Sequence, residues 1–336
     1  MGIGQTLIER KLQAQLAQAE LKAKELEAAV ESLTGQLDVV LAVRKLKYPR
    51  VSLKHWKSQG KGQVTACMVG SDWHLEERVT PGTVAGLNEY DLGIARSRVE
   101  RYFKKGLFLL SGLNKLVNIE HLVMAFLGDF ISGHLYDECL ENNQLSPTEA
   151  LWLAQDSIKS GLTLMLAEAP CKIIDIVCAS GNHGRTTVKR RISTRVKHSF
   201  ENILYRMLRQ EFAHEPRIRF IIEEGYHVWH KMAGKDIRFH HGDSLRYQGG
   251  VGGLYIPVGK AIAQWNRARP AYLDIFGHWH QCLDGGNFIC NGSLIGYNPF
   301  AVEIKATFER PQQQFFLLDQ NWGKILTAPI FVGEEK

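Results

Sequence analysis

The stretch "VTACMVGSDWH", residues 64–74, joins a short apolar run to an aspartate and a histidine two positions apart. Successive side chains of an extended strand point to opposite faces, so an extended chain would direct Asp72 and His74 toward the same point. A carboxylate and an imidazole that face one point predict a metal site. The pair alone is equally compatible with a loop in which Asp72 caps a helix and His74 has no role.

Four further apolar runs end in the same way. They are "HLVMAFLGD" (121–129), "KIIDIVCASGN" (172–182), "IRFHHGDS" (237–244) and "AYLDIFGHWH" (271–280). Helical patterns lie between the runs, at 91–117, 146–168 and 194–212, and this alternation predicts an α/β fold. Because ligands bind outside the carboxyl ends of strands in open α/β sheets, five polar strand ends predict one shared site.

The polar residues at these strand ends are of only three types, Asp, Asn and His, with no cysteine among them. The candidates are Asp72, His74, Asp129, Asn182, His183, His241, His278 and His280. Of the adjacent pair His240 and His241, one should face the core, and His241, next to Gly242, is predicted to face the site. Singly, each candidate fits a turn or loop just as well, so their combination carries the prediction of a metal centre.

In this order, the motifs DxH, GD, GNH, HG and GHxH resemble the calcineurin-like metallophosphoesterase superfamily, over about residues 64–300. The phrases "GDFISGHLYDE", "SGNHGRTT", "HHGDSLRYQGG" and "CNGSLIGYNPFA" more narrowly resemble phage- and plasmid-borne members related to DNA-repair exonucleases. The resemblance implies a four-layer α/β/β/α sandwich with two metal ions bridged by Asp129. By motif position, one ion would be held by Asp72, His74, Asp129 and His280, and the other by Asp129, Asn182, His241 and His278.

This donor set suits the hydrolysis of phosphate esters, because two cations about 3.5–4 Å apart can clamp the attacking and leaving oxygens and activate water. Nitrogen and oxygen ligands without sulfur suit Mn²⁺, Fe or Zn²⁺, and we expect Mn²⁺. Asp129 and His183 are the predicted catalytic residues, with His183 stabilising the transition state or protonating the leaving oxygen. Many family members have an acid after GNH, where this chain has Gly184. Asp243 is a possible substitute partner for His183, or a loop carboxylate facing solvent.

The first forty residues carry a different pattern, in which small and apolar residues are spaced alternately four and three apart. These residues are Leu12, Leu16, Ala19, Ala23, Leu26, Val30, Leu33, Leu37 and Val40. A period of 3.5 held over about four heptads is the a/d repeat of a coiled coil. Residues 1–42 are therefore predicted to form a helix that associates with other copies through 12–40. The alternative is a single amphipathic helix docked on the main domain.

A basic arm, residues 43–63, follows this helix and contains seven Lys or Arg residues and no acid. Lys54, Trp56 and Lys57 are predicted to contact nucleic acid, since basic side chains can meet phosphates and an aromatic ring can stack on a base. The alternative is a solvated linker.

A second basic segment, "RTTVKRRISTRVK" (185–197), follows the GNH motif and also lacks acids. Arg185, Lys189 and Arg190 are predicted to contact a polyanionic substrate, against the alternative of a solvated helix start. The glycine-rich "YQGGVGG" (247–253) could approach a ligand closely, but a flexible hairpin has the same sequence.

Composition agrees with a globular hydrolase. The chain has 336 residues, 45% of them hydrophobic and 23% charged, and a formal net charge of +6, which allows a large core. Neither a membrane-length apolar run nor a signal peptide is found, so a cytoplasmic location without membrane association is expected. The six cysteines show no CxxC pairing, which favours reduced thiols. In the C-terminal part, "PQQQFFLLDQN" and "KILTAPIFV" are predicted to be edge strands of the second sheet.

The sequence thus predicts a main domain at 64–336 that is a metal-dependent phosphodiester hydrolase, most readily a DNA nuclease. One alternative is a phosphatase or phosphodiesterase for small nucleotides. Another is a nucleic-acid-binding scaffold that has lost catalysis, against which the complete ligand set argues.

Overall fold

The computed structural model describes residues 3–45, 64–247 and 251–334. The chain divides into two compact units, Met1–Gln59 and Gly60–Lys336. The described part of the first unit is a single helix, α1 (Ile3–Lys45), which extends past the boundary predicted at residue 42. Residues 46–63 of the basic arm, including Lys54, Trp56 and Lys57, lie outside the described residues. No described helix has the length and apolar character needed to cross a bilayer.

The second unit contains a six-stranded sheet in the order β11-β10-β1-β2-β3-β4. Its strands are β1 (Val64–Gly70), β2 (Ile119–Phe126), β3 (Ile173–Cys178), β4 (Ile218–Ile222), β10 (Gln312–Asp319) and β11 (Gly323–Phe331). The strands β1 to β4 pair in parallel, and β10 and β11 pair antiparallel at one side. The parallel strands bring the ends of β1, β2 and β3 to one edge of the sheet.

A five-stranded sheet in the order β5-β6-β7-β9-β8 packs against the first. Its strands are β5 (Val228–Met232), β6 (Lys235–Phe239), β7 (Leu273–Phe276), β8 (Leu283–Asp284) and β9 (Phe288–Cys290). The central strands β6, β7 and β9 are parallel, and β5 and β8 are antiparallel edge strands. Apolar side chains of both sheets, such as Val69, Val123 and Ile275, form one buried cluster between them.

Helices cover the outer faces of both sheets. The described helices of this unit are α2 (Leu92–Asn114), α3 (Asp137–Asn142), α4 (Pro147–Glu168), α5 (Phe200–Glu211), α6 (Tyr255–Ala268) and α7 (Pro299–Glu303), with 3₁₀ turns at Pro81–Val84 and Arg195–His198. The helices α2, α4 and α5 share a core with the first sheet, and α6 packs on the second. The fold is therefore a four-layer α/β/β/α sandwich, which confirms the predicted fold class.

The helix boundaries follow local capping. Ser146 begins α4 with a capping box, in which its side chain and that of Glu149 bond reciprocally to the backbone, and such a cap satisfies amide groups that have no intrahelical partner. The helix predicted at 194–212 begins later in the structure, at Phe200. Ser199 caps α5 by accepting a hydrogen bond from the amide of Asn202, so the residues before it form only a 3₁₀ turn.

The prediction for the two C-terminal strands is wrong about the sheet. The strands β10 and β11 belong to the first sheet, where β10 pairs antiparallel with β1 through contacts such as Ala66 opposite Leu317. Of these two C-terminal strands, only β11 lies at an edge of its sheet. Both faces of β10 are buried, since Phe315 packs under the helices and Phe316 between the sheets. A strand buried on both faces lacks the alternation that would indicate its sheet.

Candidate metal centre

The five motif loops all follow the carboxyl ends of strands, after β1, β2, β3, β6 and β7. Backbone hydrogen bonds tie them together. The amides of Trp73 and His74 both donate to the carbonyl of Asp129, at 2.8 and 3.1 Å. The amide of His278 donates to the carboxylate of Asp72, at 2.9 and 3.0 Å to its two oxygens. One compact site is thus built from segments that are up to about two hundred residues apart in sequence.

The backbone of this site is not extended, which contradicts the geometry assumed for the i, i+2 pairs. Five candidate ligands have left-handed φ angles, namely Asp72 (56°), His74 (48°), Asp129 (54°), His278 (71°) and His280 (53°). Such a conformation costs non-glycine residues roughly 1–2 kcal/mol each. The strain is concentrated at the site, where the surrounding hydrogen bonds maintain it.

The glycines of the GN and GH motifs leave room for carboxylates. A Cβ on Gly181 would lie 2.0 Å from Oδ1 of Asp129, and one on Gly277 would lie 2.3 Å from Oδ2 of Asp72. Neither distance is possible between non-bonded atoms. A glycine therefore precedes each of these ligand positions because a carboxylate from another loop packs against its Cα.

Two groups of side chains are close enough for each to hold a cation, with the ligand atoms of each group within 4.8 Å of one another. One group is Asp72, His74 and His280, and the other is Asp129, His241 and His278. Asn182 adjoins the second group, with its Oδ1 3.0 Å from Nε2 of His241. Asp129 also lies within reach of His74 and His183, so it stands between the groups. The structure therefore brings together all seven predicted ligands.

The imidazoles of His74 and His241 are oriented by groups that the sequence reasoning did not identify. Nδ1 of His74 lies 2.9 Å from the hydroxyl of Ser132, which donates in turn to the carboxylate of Glu77 at 2.9 Å. Nδ1 of His241 lies 2.7 Å from the carbonyl of Leu127. These bonds place the Nδ1 proton and leave Nε2 as the ligand atom, a common arrangement around metal-binding histidines.

The donor atoms fit a divalent cation. Nε2 of His74 is buried and has no hydrogen-bond partner among the described residues, which is costly unless a partner such as a bound ion satisfies it. Burial and neighbouring imidazoles lower the pKa of His278 and of His280 to about 3. Both rings are therefore neutral at pH 7, as a metal ligand must be.

The carboxylates of the site interact strongly with one another. Burial, together with the negative charge of Asp129, raises the pKa of Asp72 to about 7. Burial alone would lower the pKa of His241, but the carboxylate of Asp129, followed by that of Asp72, raises it to about 10. Without a cation, this imidazole carries the positive charge that balances the two acids. A divalent cation would replace that proton.

His183 is positioned by a backbone carbonyl and not by Asp243. Its Nδ1 lies 3.1 Å from the carbonyl of Ser132, and its amide donates to Oδ1 of Asp129 at 2.8 Å. Asp243 instead pairs with Arg195, at 2.9 Å, and with Arg190. The proposed substitution by Asp243 is therefore wrong, because its carboxylate is already occupied. Nδ1 of His183 is used by its hydrogen bond to the carbonyl of Ser132, so Nε2 is the ring nitrogen that could react with a substrate. His183 is also close enough to His74 and Asp129 to be a metal ligand.

The space beside Gly184 is filled by Glu201 from the first turn of α5. A Cβ on Gly184 would lie 2.9 Å from Cγ and 3.1 Å from Cδ of Glu201. The buried carboxylate of Glu201 accepts hydrogen bonds from the amides of Phe130, at 2.8 Å, and Gly181, at 2.6 Å. An acid is thus present next to the GNH loop, but it comes from a different element.

A cavity of about 250 Å³ opens beside the candidate ligands. Its remaining walls are formed by Glu77, Tyr136, Glu138, Cys139, Asn142, Asn298, Pro299, Phe300 and Glu303. The rings of Tyr136 and Phe300 stand next to His183 and His280, with centroids 4.9 and 5.2 Å away. The cavity therefore combines the metal-type residues with aromatic walls and several carboxylates.

The basic loop, residues 185–197, uses part of its charge internally. Arg185 donates to the carbonyls of Asn182 and Thr187 and lies over the ring of Tyr136. Arg190 and the buried Arg195 pair with Asp243. Lys189 and Arg191 are exposed, and their side chains make no hydrogen bond or ion pair with the described residues. A role of Arg185, Lys189 and Arg190 in substrate binding stays a prediction.

A second cluster of possible metal ligands, which the sequence analysis missed, lies within the strands and not in the loops that follow them. His121, Asp175 and His230 approach within the same 4.8 Å limit. Arg219 pairs with Asp175 at 2.6 and 2.8 Å, so a fixed positive charge already neutralises the carboxylate. Histidines within strands carry no turn or glycine signal, which is why the sequence pattern did not indicate them.

No protein-family model and no curated protein matches this chain. Solved structures do. Vacuolar protein sorting 29 from Cryptosporidium parvum is 12% identical, with 80% of this chain and 96% of that chain covered and a TM-score of 0.30. A hypothetical protein from Pyrococcus horikoshii is 11% identical, covering 80% and 88%, with a TM-score of 0.33. A 5'-nucleotidase from Candida albicans is 10% identical, covering 80% and 49%, with a TM-score of 0.30. Similarity at this level gives no information about the chemistry of the site.

Proposed function

We propose that this chain is a metal-dependent phosphoesterase of the calcineurin-like type, which hydrolyses phosphodiester bonds of nucleic acid, most readily DNA, with two divalent ions. The observation that supports it is the convergence of Asp, Asn and His side chains on Asp129, where the buried Nε2 of His74 has no hydrogen-bond partner among the described residues. When bound, two such cations, Mn²⁺ being the first choice, would neutralise the phosphate and activate water.

The chain's own residues have distinct roles in this proposal. Asp129 bridges the two ligand groups and also holds the amide of His183. His183, whose Nδ1–H donates to a carbonyl, lines the cavity. As an imidazolium it can donate its Nε2 proton to the leaving oxygen and become neutral. Tyr136 and Phe300 form aromatic walls of the same cavity.

Nucleic acid is the proposed substrate because free positive charge lies close to the site. Lys189 and Arg191 are exposed next to the GNH motif, and the basic arm adds further charge in the sequence. Cations of this kind meet successive phosphates of a polymer and make its affinity salt-dependent. A small substrate would not reach them.

One observation favours a smaller substrate. Glu138 and Glu303 line the same cavity, and the carboxylates of a site repel a polyanion more strongly than a small ester that carries fewer charges. A small phosphate ester is the second candidate, and its phosphate would enter the cavity without touching the basic loop.

The two candidates are separated by assays with Mn²⁺ on labelled single- and double-stranded DNA, RNA, nucleoside monophosphates and bis-p-nitrophenyl phosphate. Cleavage of polymer that is lost in Asp129→Asn supports the nuclease. Turnover of small esters alone replaces it with the second candidate. Binding of polymer without any hydrolysis identifies a scaffold and refutes both enzymes.

The contribution of the basic arm is tested in the full chain with Lys54→Gln, Lys57→Gln and Trp56→Ala. Each lost phosphate contact lowers the slope of log affinity against log salt by about 0.7–0.9. Loss of a stacked base at Trp56 costs about 1–3 kcal/mol of binding free energy. Hydrolysis of bis-p-nitrophenyl phosphate should stay unchanged. If polymer binding also stays unchanged, the arm is only a linker.

A further inference from the structure

We infer that Glu201 is a positioning residue that replaces an acid after the GNH motif, and that position 184 is glycine in order to make room for it. The inference rests on the proposed function, because it assigns the geometry of the ligands to this carboxylate. Glu201 lies in the first turn of α5, opposite the motif loops, and its side chain is fully buried.

The carboxylate of Glu201 connects the two loops that carry the central residues of the site. One oxygen accepts from the amide of Phe130, the residue after Asp129, and the other accepts from the amide of Gly181, the residue before Asn182. Asp129 has a left-handed φ of 54°, so its loop needs fixed hydrogen bonds on both sides. A single buried carboxylate supplies them to both loops at once.

The helix favours this placement of the acid. The amides at a helix N-terminus carry partial positive charge, which stabilises a carboxylate in the first turn. Ser199 caps the helix, and the amide of Phe200 donates to the carbonyl of Gly184 at 2.8 Å. The start of α5 is therefore fastened to the GNH loop, and Glu201 enters the space that a side chain on residue 184 would occupy.

The geometry predicts that the acid can be moved between the two positions. A Cβ on residue 184 would lie 3.1 Å from the present carboxyl carbon of Glu201, so the carboxylate of a glutamate at position 184 would fall close to the present one. Gly184 is not among the glycines with a positive φ, so its backbone accepts a side chain once Glu201 is shortened. The double variant Gly184→Glu, Glu201→Ala should thus restore the bonds to both loops.

The experiment compares Glu201→Gln, Glu201→Ala and the double variant with wild type. Glu211→Gln, at the exposed end of the same helix, is the matched control. In Glu201→Gln one amide loses its acceptor and faces an NH₂ group. We expect the affinity for Mn²⁺ to fall about 10–100-fold, as for other residues that orient metal ligands. We expect kcat on bis-p-nitrophenyl phosphate to fall with it and KM to change little, because Glu201 does not touch the substrate.

The double variant separates positioning from general stability. Recovery of Mn²⁺ affinity and kcat with the acid at position 184 supports the inference. Loss of thermal stability with normal Mn²⁺ affinity in Glu201→Gln overturns it, and so does a double variant that folds but stays as impaired as Glu201→Ala. Mn²⁺ affinity, measured by calorimetry, needs no substrate. A wild type that binds two ions without hydrolysing esters would refute the proposed function and leave this test intact.

A different observation supports a second inference: we propose that α1 pairs with α1 of another copy in a parallel, in-register coiled coil. The large apolar residues of the heptad stripe, from Leu12 to Val40, are 51–63% exposed. A stripe repeated every 3.5 residues fits a second helix with the same repeat. The charges beside the stripe decide the direction of that helix.

With Leu12 at position d, the flanking charges are separated by type. The acidic residues Glu20 and Glu27 are at e positions, and the basic residue Lys22 is at a g position. In a parallel pair, g faces e of the next heptad, so each Lys22 meets Glu27 of the other copy. In an antiparallel pair, e faces e and g faces g, and no opposite charges meet in the stretch from 12 to 40. Only the parallel arrangement gives attractive contacts.

Cysteine cross-linking in the full chain tests the direction. Leu12→Cys and Leu37→Cys, oxidised separately, should each form disulfide-linked dimers, because in a parallel pair the d position of Leu12 and the a position of Leu37 each face the same position of the other copy. Cross-linking only when the two variants are mixed would show an antiparallel pair and overturn the inference, as would no cross-linking at all. Wild type is the control, since five of its cysteines are buried and Cys282 is half-buried.

Charge reversal provides an independent measurement. Lys22→Glu should weaken the dimer about tenfold by sedimentation, since two attractions become two repulsions of a few tenths of a kcal/mol each. Glu27→Lys should do the same, and the two changes combined should restore dimerisation. Equal dissociation constants for all four proteins would contradict the proposed contact.

Discussion

Removal and return of Mn²⁺ should change the thermal stability of this protein by an amount set by its two ligand groups. In the proposed function the ions bind the folded protein and not the unfolded chain, so each ion at a free concentration of 100 times its Kd would add about 2.7 kcal/mol to the free energy of unfolding. Two groups, one around Asp72 and one around His241, therefore predict about 5 kcal/mol. For a unit of this size, each kcal/mol raises Tm by about 2 °C.

We thus expect Tm to rise by about 10 °C when Mn²⁺ is added back to chelated wild-type protein. Asp129→Asn removes the carboxylate between the groups and should abolish most of the shift. His74→Ala removes a ligand of one group only and should leave about half. Glu211→Gln, far from the site, should behave as wild type. The melts are followed by circular dichroism, with bound metal counted by elemental analysis.

This prediction fails if chelation and Mn²⁺ leave the wild-type Tm unchanged, since the buried ligands would then hold no ion. It also fails if Asp129→Asn keeps the full shift, because the bridging role would be wrong. A shift of about 5 °C with one equivalent of metal would reduce the centre to a single ion. Each outcome is read without any substrate.

Three further predictions concern catalysis, stability and polymer binding. His183→Ala should lose at least about 100-fold in kcat on bis-p-nitrophenyl phosphate while keeping both ions; loss of an ion would make His183 a ligand. Burial alone would raise the pKa of Asp175, but hydrogen bonds from two histidines and Arg219 lower it well below its usual value. A lowered carboxyl pKa stabilises the fold fully above about pH 4, and this stabilisation is lost progressively as the pH falls from there toward the lowered pKa. Asp175→Asn should therefore cost about 2 kcal/mol at pH 7 and progressively less below about pH 4 by urea unfolding. A constant difference across this range would contradict the assignment. Lys189→Gln with Arg191→Gln should reduce the salt slope of DNA binding by about 1.4–1.8 if both contact phosphates; an unchanged slope would exclude the basic loop.

Much of the fold follows from local patterns in the sequence. The runs that end at Gly70, Phe126, Cys178, Phe239 and Phe276 are recognisable because apolar segments of strand length end in polar clusters. Their common polarity at the carboxyl end is enough to predict that they meet, since parallel strands end at one edge of a sheet. The sheet of β10 and β11 was missed, because β1, the strand that β10 pairs with, lies more than two hundred residues away and no local pattern specifies a distant partner.

The sequence was also enough to identify the candidate ligands. The extended backbone that was assumed to direct Asp72 and His74 to one point was wrong. Asp72 and His74 do not share a face of a strand, because both are in the left-handed conformation. That conformation is imposed by bonds from other loops, such as the two amides held by the carbonyl of Asp129. Residue type and order are local properties, and the backbone angles that aim the side chains are not.

By itself, the sequence determined the α/β class, the ligand candidates and the heptad stripe of α1, because each depends on residues that are close together in the chain. Tertiary structure decided which groups orient the candidates: Ser132 behind His74 and His183, and Glu201 in place of an acid at Gly184. These contacts join elements whose separation in sequence carries no periodicity. They form only when packing of the two sheets brings the loops within hydrogen-bonding distance, where a buried carboxylate or carbonyl must find a donor.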